Sequence, residues 1–295
     1  MTITAEAVKQ LRERTGAGMM ECKRALVESG GDLDAAADLM RRQGLAKADK
    51  KAARVAAEGL IVVERSTDGL TASIVEVNCE TDFVAREHDF RAFAAEVGRA
   101  ALKTRARDVA ELLAQKSDSG ETLEERRRAL VAKIGENINV RRVATVTAPD
   151  VLGAYVHGTR IGTLVALKGG SDEVAKDLAM HVAAANPQYI QPADVPAATV
   201  DRERGILRDQ AAGEAKGKSP EIVAKMVEGR LRKYLNEIAL TGQPFVKDPD
   251  VSVEKLLKQA SASVTEMVRF EVGLGLEKKQ GDFAAEVMAT VHGKH

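Results

Sequence analysis

Residues 71–97, TASIVEVNCETDFVAREHDFRAFAAEV, carry the pattern from which the rest of the chain can be read. Thr71 to Val77 has the composition of a β-strand. From about Asp89 onward, Phe90, Phe93, Ala94 and Val97 recur at helical spacing, which predicts a helix from Asp89 to Leu102. Between strand and helix, Asn78 to Ala85 sets Phe83 beside Asp82 and close to Glu80, in a chain with six Phe, three Tyr and no Trp. On one continuous helix Phe83 and Phe90, seven apart, would share a buried face. On a separate loop, Phe83 would be a probe presented to a partner.

Moving outward, Leu60 to Arg65 and Leu70 to Val77 flank Asp68-Gly69, a tight-hairpin signal because the turn needs positive φ. Downstream come helical runs from Arg107 to Lys116 and from Thr122, where Thr122 and Glu125 have capping-box spacing and Gly135 is the stop. Asn137 to Val146 then reads as a strand. The same plan recurs. Leu152 to Val156 and Ile161 to Leu167 flank a turn at His157-Gly158-Thr159-Arg160. A helix follows from Asp172 to Ala185, and much later a helix over Val253 to Ala260 and a strand over Glu266 to Val272. A duplicated α+β unit with small antiparallel sheets is the fold this predicts. Val75 aligns with Val165 at an offset of 90 and Val97 with Val182 at an offset of 85, so the first copy has five extra residues, around Thr81 to Ala85. The second copy does without them, which favours the reading of Phe83 as a probe, since loops on a rigid scaffold often carry function.

The remaining segments are helical. Ala5 to Arg14, Met19 to Glu28 and Leu33 to Arg42, punctuated by Gly16, Gly18, Gly30-Gly31 and Gly44, read as a three-helix bundle with Val8, Leu11, Leu26, Leu33 and Leu39 in its core. Periodicity favours a core position for at least one of Met19 and Met20; an exposed methionine would be an adaptable apolar contact. Ala46 to Ala57 reads as a solvated linker helix. Asp201 to Leu240, broken at Lys216–Pro220, reads as an antiparallel helical hairpin closed by Ile206, Leu207, Ile222, Met226, Leu231 and Leu235, and Asp282 to Val291 as a terminal amphipathic helix. The division expected is 1–45 docking bundle, 46–58 linker, 59–148 first core unit, 149–190 with 241–273 second core unit, 191–240 hairpin and 274–295 terminal module.

Composition narrows the function. Lys plus Arg and Asp plus Glu each total 44, so no basic surplus exists to displace counterions from nucleic acid. Cys22 and Cys79 lack metal-ligand spacing, and neither a disulfide framework nor a zinc site is expected. No signal-peptide run or membrane-length apolar stretch is present, and a cytoplasmic protein is expected. Ala212–Ser219 loosely matches a phosphate loop, but a charged helix, not a strand, precedes it and Pro220 follows, so it reads as the hairpin turn. An RNA contact through Lys47 to Arg54 lacks any aromatic for base stacking. The histidines, His157 and His181 among them, form no catalytic constellation, so no enzyme activity and no cofactor are expected.

The motifs LRERTGAGMMECKRAL (11–26), EVNCETDFVA (76–85), KIGENINVRR (133–142), HGTRIG (157–162), KMVEGRLRKY (225–234), LTGQPFV (240–246) and RFEVGLGLEKKQGDFAAEV (269–287) span the chain in order. In them the sequence resembles the bacterial elongation factor Ts family, guanine-nucleotide exchange factors that act on elongation factor Tu during protein synthesis. The resemblance implies a ubiquitin-associated-like N-terminal bundle whose Arg12, Met19 and Met20 touch the partner's nucleotide-binding domain. It implies that Thr81, Asp82, Phe83 and Val84 enter near the partner's magnesium site and help displace the ion. It further implies that Ile134, Gly135 and His157 contact the same domain, and that the terminal helix packs there too. The 201–240 hairpin would grip a further domain of the partner or pair with a second copy. No direct nucleotide, nucleic-acid or membrane binding is implied.

Overall fold

Ala5–Thr15 (α1), Met19–Glu28 (α2) and Leu33–Lys51 (α3) begin a computed structural model that describes residues 3–117, 119–214 and 219–276, with the backbone alone for 45–49. Thr4 caps α1 by accepting the Ala7 N–H at 3.2 Å, and Gly16 ends it in the left-handed conformation. Val8, Leu11, Cys22, Ala25, Leu26 and Ala36 fill the core of the bundle. The small residues Cys22 and Ala25 let the helices approach, and with Leu26 they use the whole inward face of α2. Met19 and Met20 are therefore 57% and 69% exposed, against the expectation that one would be core. Gly44 does not end α3 either. A Cβ there would lie 3.1 Å from the Cβ of Ala132, so this glycine serves a close helix crossing while the helix runs on to Lys51.

Glu58–Arg65 (β1) and Thr71–Cys79 (β2) pair antiparallel, with Gly69 at φ +74° in their turn. Then come Asp82–Arg86 (α4), His88–Thr104 (α5), Val109–Leu113 (α6), Leu123–Ile134 (α7) and Asn139–Thr147 (β3). α6 is shorter than the expected run because Asp108 caps it by accepting the Glu111 N–H at 2.8 Å and it stops at Ala114. The Thr122–Glu125 capping box and the left-handed Gly135 bound α7 as expected. The second unit has Val151–His157 (β4), Ile161–Lys168 (β5), Asp172–Ala185 (α8), Ala197–Glu214 (α9), Pro220–Ile238 (α10), Pro244–Phe245 (β6), Asp248–Ser252 (β7), Val253–Gln259 (α11) and Ser263–Glu271 (β8). The short β6–β7 pair had no signal in the sequence.

The fold is α+β with small antiparallel sheets, ordered β1-β2-β3 and β4-β5-β8. Each central strand slips register against its closing strand, between Glu76 and Val77 in one sheet and between Ala166 and Leu167 in the other. These are matching positions at the offset of 90. The two sheets face each other across Ile61, Ile74, Val146, Leu152, Leu164 and Ala166. Their outer faces are covered, the first by Phe90, Phe93 and Val97 of α5 and Val131 of α7, the second by Leu178 and Val182 of α8 and Leu257 of α11. Alternate residues of β2 and β5 thus enter different cores, which is the period-two geometry of a strand covered on both sides. At Gly162 a Cβ would sit 2.5 Å from Ile61 Cγ2, so the sheets meet where this side chain is absent.

Glu76 joins the two halves. Its buried carboxylate accepts from Asn78 Nδ2 at 3.1 Å, Gly273 N–H at 2.9 Å, Arg141 at 3.1 Å and Arg142 Nε at 2.5 Å. Burial raises its pKa, but the Gly273 and Asn78 hydrogen bonds and the Arg142 charge outweigh that and hold it below the usual value.

The projecting hairpin buries Leu207 and Ala211 of α9 against Val227 and Leu231 of α10. Ile206 and Ile222, expected in that seam, are exposed. Each lies one position, about 100°, off the rows that close it. Residues 215–218 of the phosphate-loop match and the helix expected over 282–291 lie outside the described residues. Among the described residues no helix is long and apolar enough to cross a membrane.

Candidate partner interface

The five extra residues of the first copy form a helix. α4 starts at Thr81, whose hydroxyl accepts the Val84 N–H at 3.3 Å, and ends at Glu87, where the chain returns to an extended conformation before α5. The break separates Phe83 from the face of Phe90. Phe83 is 76% exposed, whereas its neighbour Val84 is only 7% exposed and packs into the core beneath the first sheet. Val84, expected as a contact, is thus an anchor in the free chain. Asp82 accepts from Arg86 at 2.8 Å across one turn, so its carboxylate is held on the outer surface next to Phe83.

The base of α4 is stiff. Cys79 donates its Sγ–H to the Thr81 carbonyl at 3.1 Å. Burial, with the nearby Glu136 and Glu58 charges, pushes the Cys79 pKa up to about 12, so this thiol keeps its proton and is no nucleophile. The N–H groups of Glu80 and Thr81 donate to one oxygen of Glu136 at 3.1 and 3.0 Å, and the Thr81 hydroxyl donates to the other at 2.7 Å. In return the Asn137 N–H donates to Glu80 at 2.6 Å. Ile134 and Gly135 are thereby brought beside Thr81–Val84. Lys51 donates to the Gly135 carbonyl, and Asn137 Nδ2 donates to the Arg54 carbonyl at 2.7 Å, so the end of α3 is tied to the same place.

His157 stands at the end of β4, exposed, with Nδ1 3.0 Å from the Tyr155 hydroxyl. Its turn is joined to β1 by the Ile61 N–H to Thr159 carbonyl bond at 2.8 Å and the Arg160–Glu58 pair at 2.6 Å. Glu58 faces Cys79 in the ladder, so the His157 turn and α4 rise from neighbouring ends of one strand pair. His181 is different. Buried in α8, it accepts the Val246 N–H at Nδ1 and pairs through Nε2 with Gln243 at 2.9 Å, and burial lowers its pKa.

Arg12 of α1 and Met19, Met20 and Val27 of α2 are exposed on the bundle. The bundle is held to α7 by Arg41–Glu125 at 2.6 Å and by the Gly44 crossing. Nothing local in the sequence marks Glu80 and Glu136 as bracing partners, although both lie inside quoted motifs.

An exposed aromatic on a braced helix, beside solvent-facing apolar and charged groups, is the equipment of a protein that works through contact with another macromolecule. Comparison with known proteins gives the family. The family model described as Elongation factor TS matches residues 80–274. The chain is 57% identical over 292 residues to elongation factor Ts of Methylococcus capsulatus, covering 99% of each. It is 56% identical over 291 residues to that of Idiomarina loihiensis, covering 99% of this chain and 98% of the relative. With elongation factor Ts of Thioalkalivibrio sulfidiphilus the identity is 55% over 295 residues. The chain belongs to the elongation factor Ts family.

Proposed function

We propose that this chain opens the nucleotide site of elongation factor Tu by pressing α4 into it. The chain is a guanine-nucleotide exchange factor acting in the elongation stage of protein synthesis. The observation that carries the mechanism is the contrast between adjacent residues: Phe83 held 76% exposed on a helix whose Val84 is buried. A bulky apolar group on a fixed base can displace a neighbouring element; the same group on a loose loop would yield first.

Bound GDP is held by interactions around its phosphates, including magnesium. Magnesium requires near-ideal octahedral geometry, so a small shift of its surroundings weakens it sharply. Thr81–Val84 supply that shift: Phe83 displaces, Asp82 competes for polar groups near the ion, and Val84 anchors. Ile134 and Gly135 contact the same domain alongside, and His157 contacts it on the phosphate side. Arg12, Met19 and Met20 dock the bundle on that domain, and the 201–240 hairpin grips a further domain of the partner. No covalent bond changes, so the work is a coupling of two binding equilibria, in which factor and nucleotide each weaken the other equally.

The test is the release rate of fluorescent GDP from elongation factor Tu as the chain is added, at low and high free magnesium. Release is expected to accelerate to a plateau, and raised magnesium to oppose it. A release rate independent of the chain overturns the proposal.

A further inference from the structure

We infer that Glu136 is the positioning residue of Phe83: it fixes the cap from which α4 projects. The inference rests on the wedge reading and names the part of the scaffold that makes the wedge rigid. Glu136 receives three hydrogen bonds from two consecutive residues, 55 and 56 positions away in sequence, at the start of α4. The chemistry at Thr81 is specific. Its hydroxyl has one proton, and giving that proton to Glu136 leaves an oxygen lone pair for the Val84 N–H at 3.3 Å. The carboxylate therefore sets the polarity of the cap as well as its place. Glu80 returns the contact to Asn137, so the segments holding Phe83 and Ile134-Gly135 form one unit.

The second copy provides the contrast. Its strand-to-helix link is residues 169–171, and one carboxylate bond, Gly169 N–H to Asp150 at 2.7 Å, holds it. The longer link of the first copy carries a helix that must bear load, and there a reciprocal pair of glutamates does the holding. The carboxylate's hydrogen bonds go to Glu80 and Thr81, so it acts on Phe83 through Thr81.

The experiment measures GDP release from elongation factor Tu against factor concentration for wild type, Glu136→Ala, Glu136→Gln, Phe83→Ala and Phe83→Ala with Glu136→Ala. Glu136→Ala is expected to lower the plateau rate by about tenfold to a hundredfold, the upper end being the cost of misplacing a working group by about 1 Å. Its half-saturating concentration should change little, because the docking face of the bundle is untouched. Glu136→Gln keeps one acceptor for the two N–H groups but turns an N–H2 toward the Thr81 hydroxyl, so it should recover only part of the rate lost in Glu136→Ala. In the Phe83→Ala background, Glu136→Ala should add no further loss, since two residues acting through one element are not additive. If Glu136→Ala shows no cooperative unfolding transition, Glu136→Asp, which keeps the charge and shortens the reach, takes its place with the same expectations. A folded Ala or Asp variant with the wild-type plateau overturns the inference. So does a loss that persists in full when Phe83 is already absent, which would mark a general loosening. In both cases wild-type acceleration leaves the exchange function standing, whereas no acceleration by wild type removes that function first.

Discussion

The two α+β units of this chain repeat one plan, and their differences separate what the fold needs from what the function needs. Both have a hairpin, a helix on the outer face, a closing strand and a register slip at matching positions. The first copy joins its central strand to its helix through residues 80–87, the second through 169–171. The five extra residues equal the length of α4. The second copy shows that the sheet and helix close without them. A second difference lies in the strand itself, where Glu76 of the first copy stands opposite in plan to Ala166 of the second. A third lies on the helix, where Glu96, paired with Arg126 at 2.9 Å, matches the buried His181.

Breaking the strand difference should have the largest effect on stability. Glu76→Ala gives the first copy the residue of the second, but leaves Arg141 and Arg142 without their buried partner. A loss of about 3–5 kcal/mol is expected in urea unfolding. The wild-type contribution also has a pH signature. Because the carboxyl is held below its usual value, the contribution is full above the ordinary carboxylate pKa and is lost as pH falls through the lowered folded value. An unfolding midpoint unchanged by Glu76→Ala would contradict the role of Glu76 as the joint between the halves.

Replacing residues 80–87 by the Gly-Gly-Ser of the second copy tests the link. The main apolar loss is the burial of Val84, on the order of 1.5–3 kcal/mol. The variant should still unfold cooperatively, yet its acceleration of GDP release should disappear. A variant that fails to fold would show that α4 is part of the core and would erase the distinction between the two copies.

The helix difference should give a smaller, pH-dependent effect. The folded pKa of His181 is lowered by burial, so the native state favours the neutral ring. Its contribution is full above the unfolded histidine value of about 6.5 and declines as pH falls from there toward the lowered folded value. An NMR titration should find the His181 ring still largely neutral at the unperturbed histidine value of about 6.5, where a free imidazole is half protonated. Half-protonation of His181 at that unperturbed value would contradict the effect of its burial.

Much of the fold could be read from local pattern. The hairpin signal at Asp68-Gly69, the Thr122–Glu125 box and the Gly135 stop are short-range chemistry, and each appears in the structure where its spacing places it. The offset of 90 passes through the matched register slips, and its change to 85 located α4. What stayed hidden depended on partners distant in sequence. Gly44 looks like a helix stop until Ala132 is seen against it. Met19 looks like core until Cys22 and Ala25 are seen to use the inward face. The Glu80–Glu136 exchange spans more than fifty residues and has no local signature. For Phe83 periodicity alone leaves core and probe both open; the structure excludes the core position, with 76% of the residue exposed.

The most direct measurement is the plateau rate of GDP release from elongation factor Tu with wild-type chain and with Phe83→Ala, beside the thermal unfolding of both. Because Phe83 is exposed and unneeded by the core, the substitution should change stability by less than about 0.5 kcal/mol, while the plateau rate falls severalfold or more. Equal plateau rates from two equally stable proteins would contradict the wedge and assign the opening of the nucleotide site to the contacts around His157.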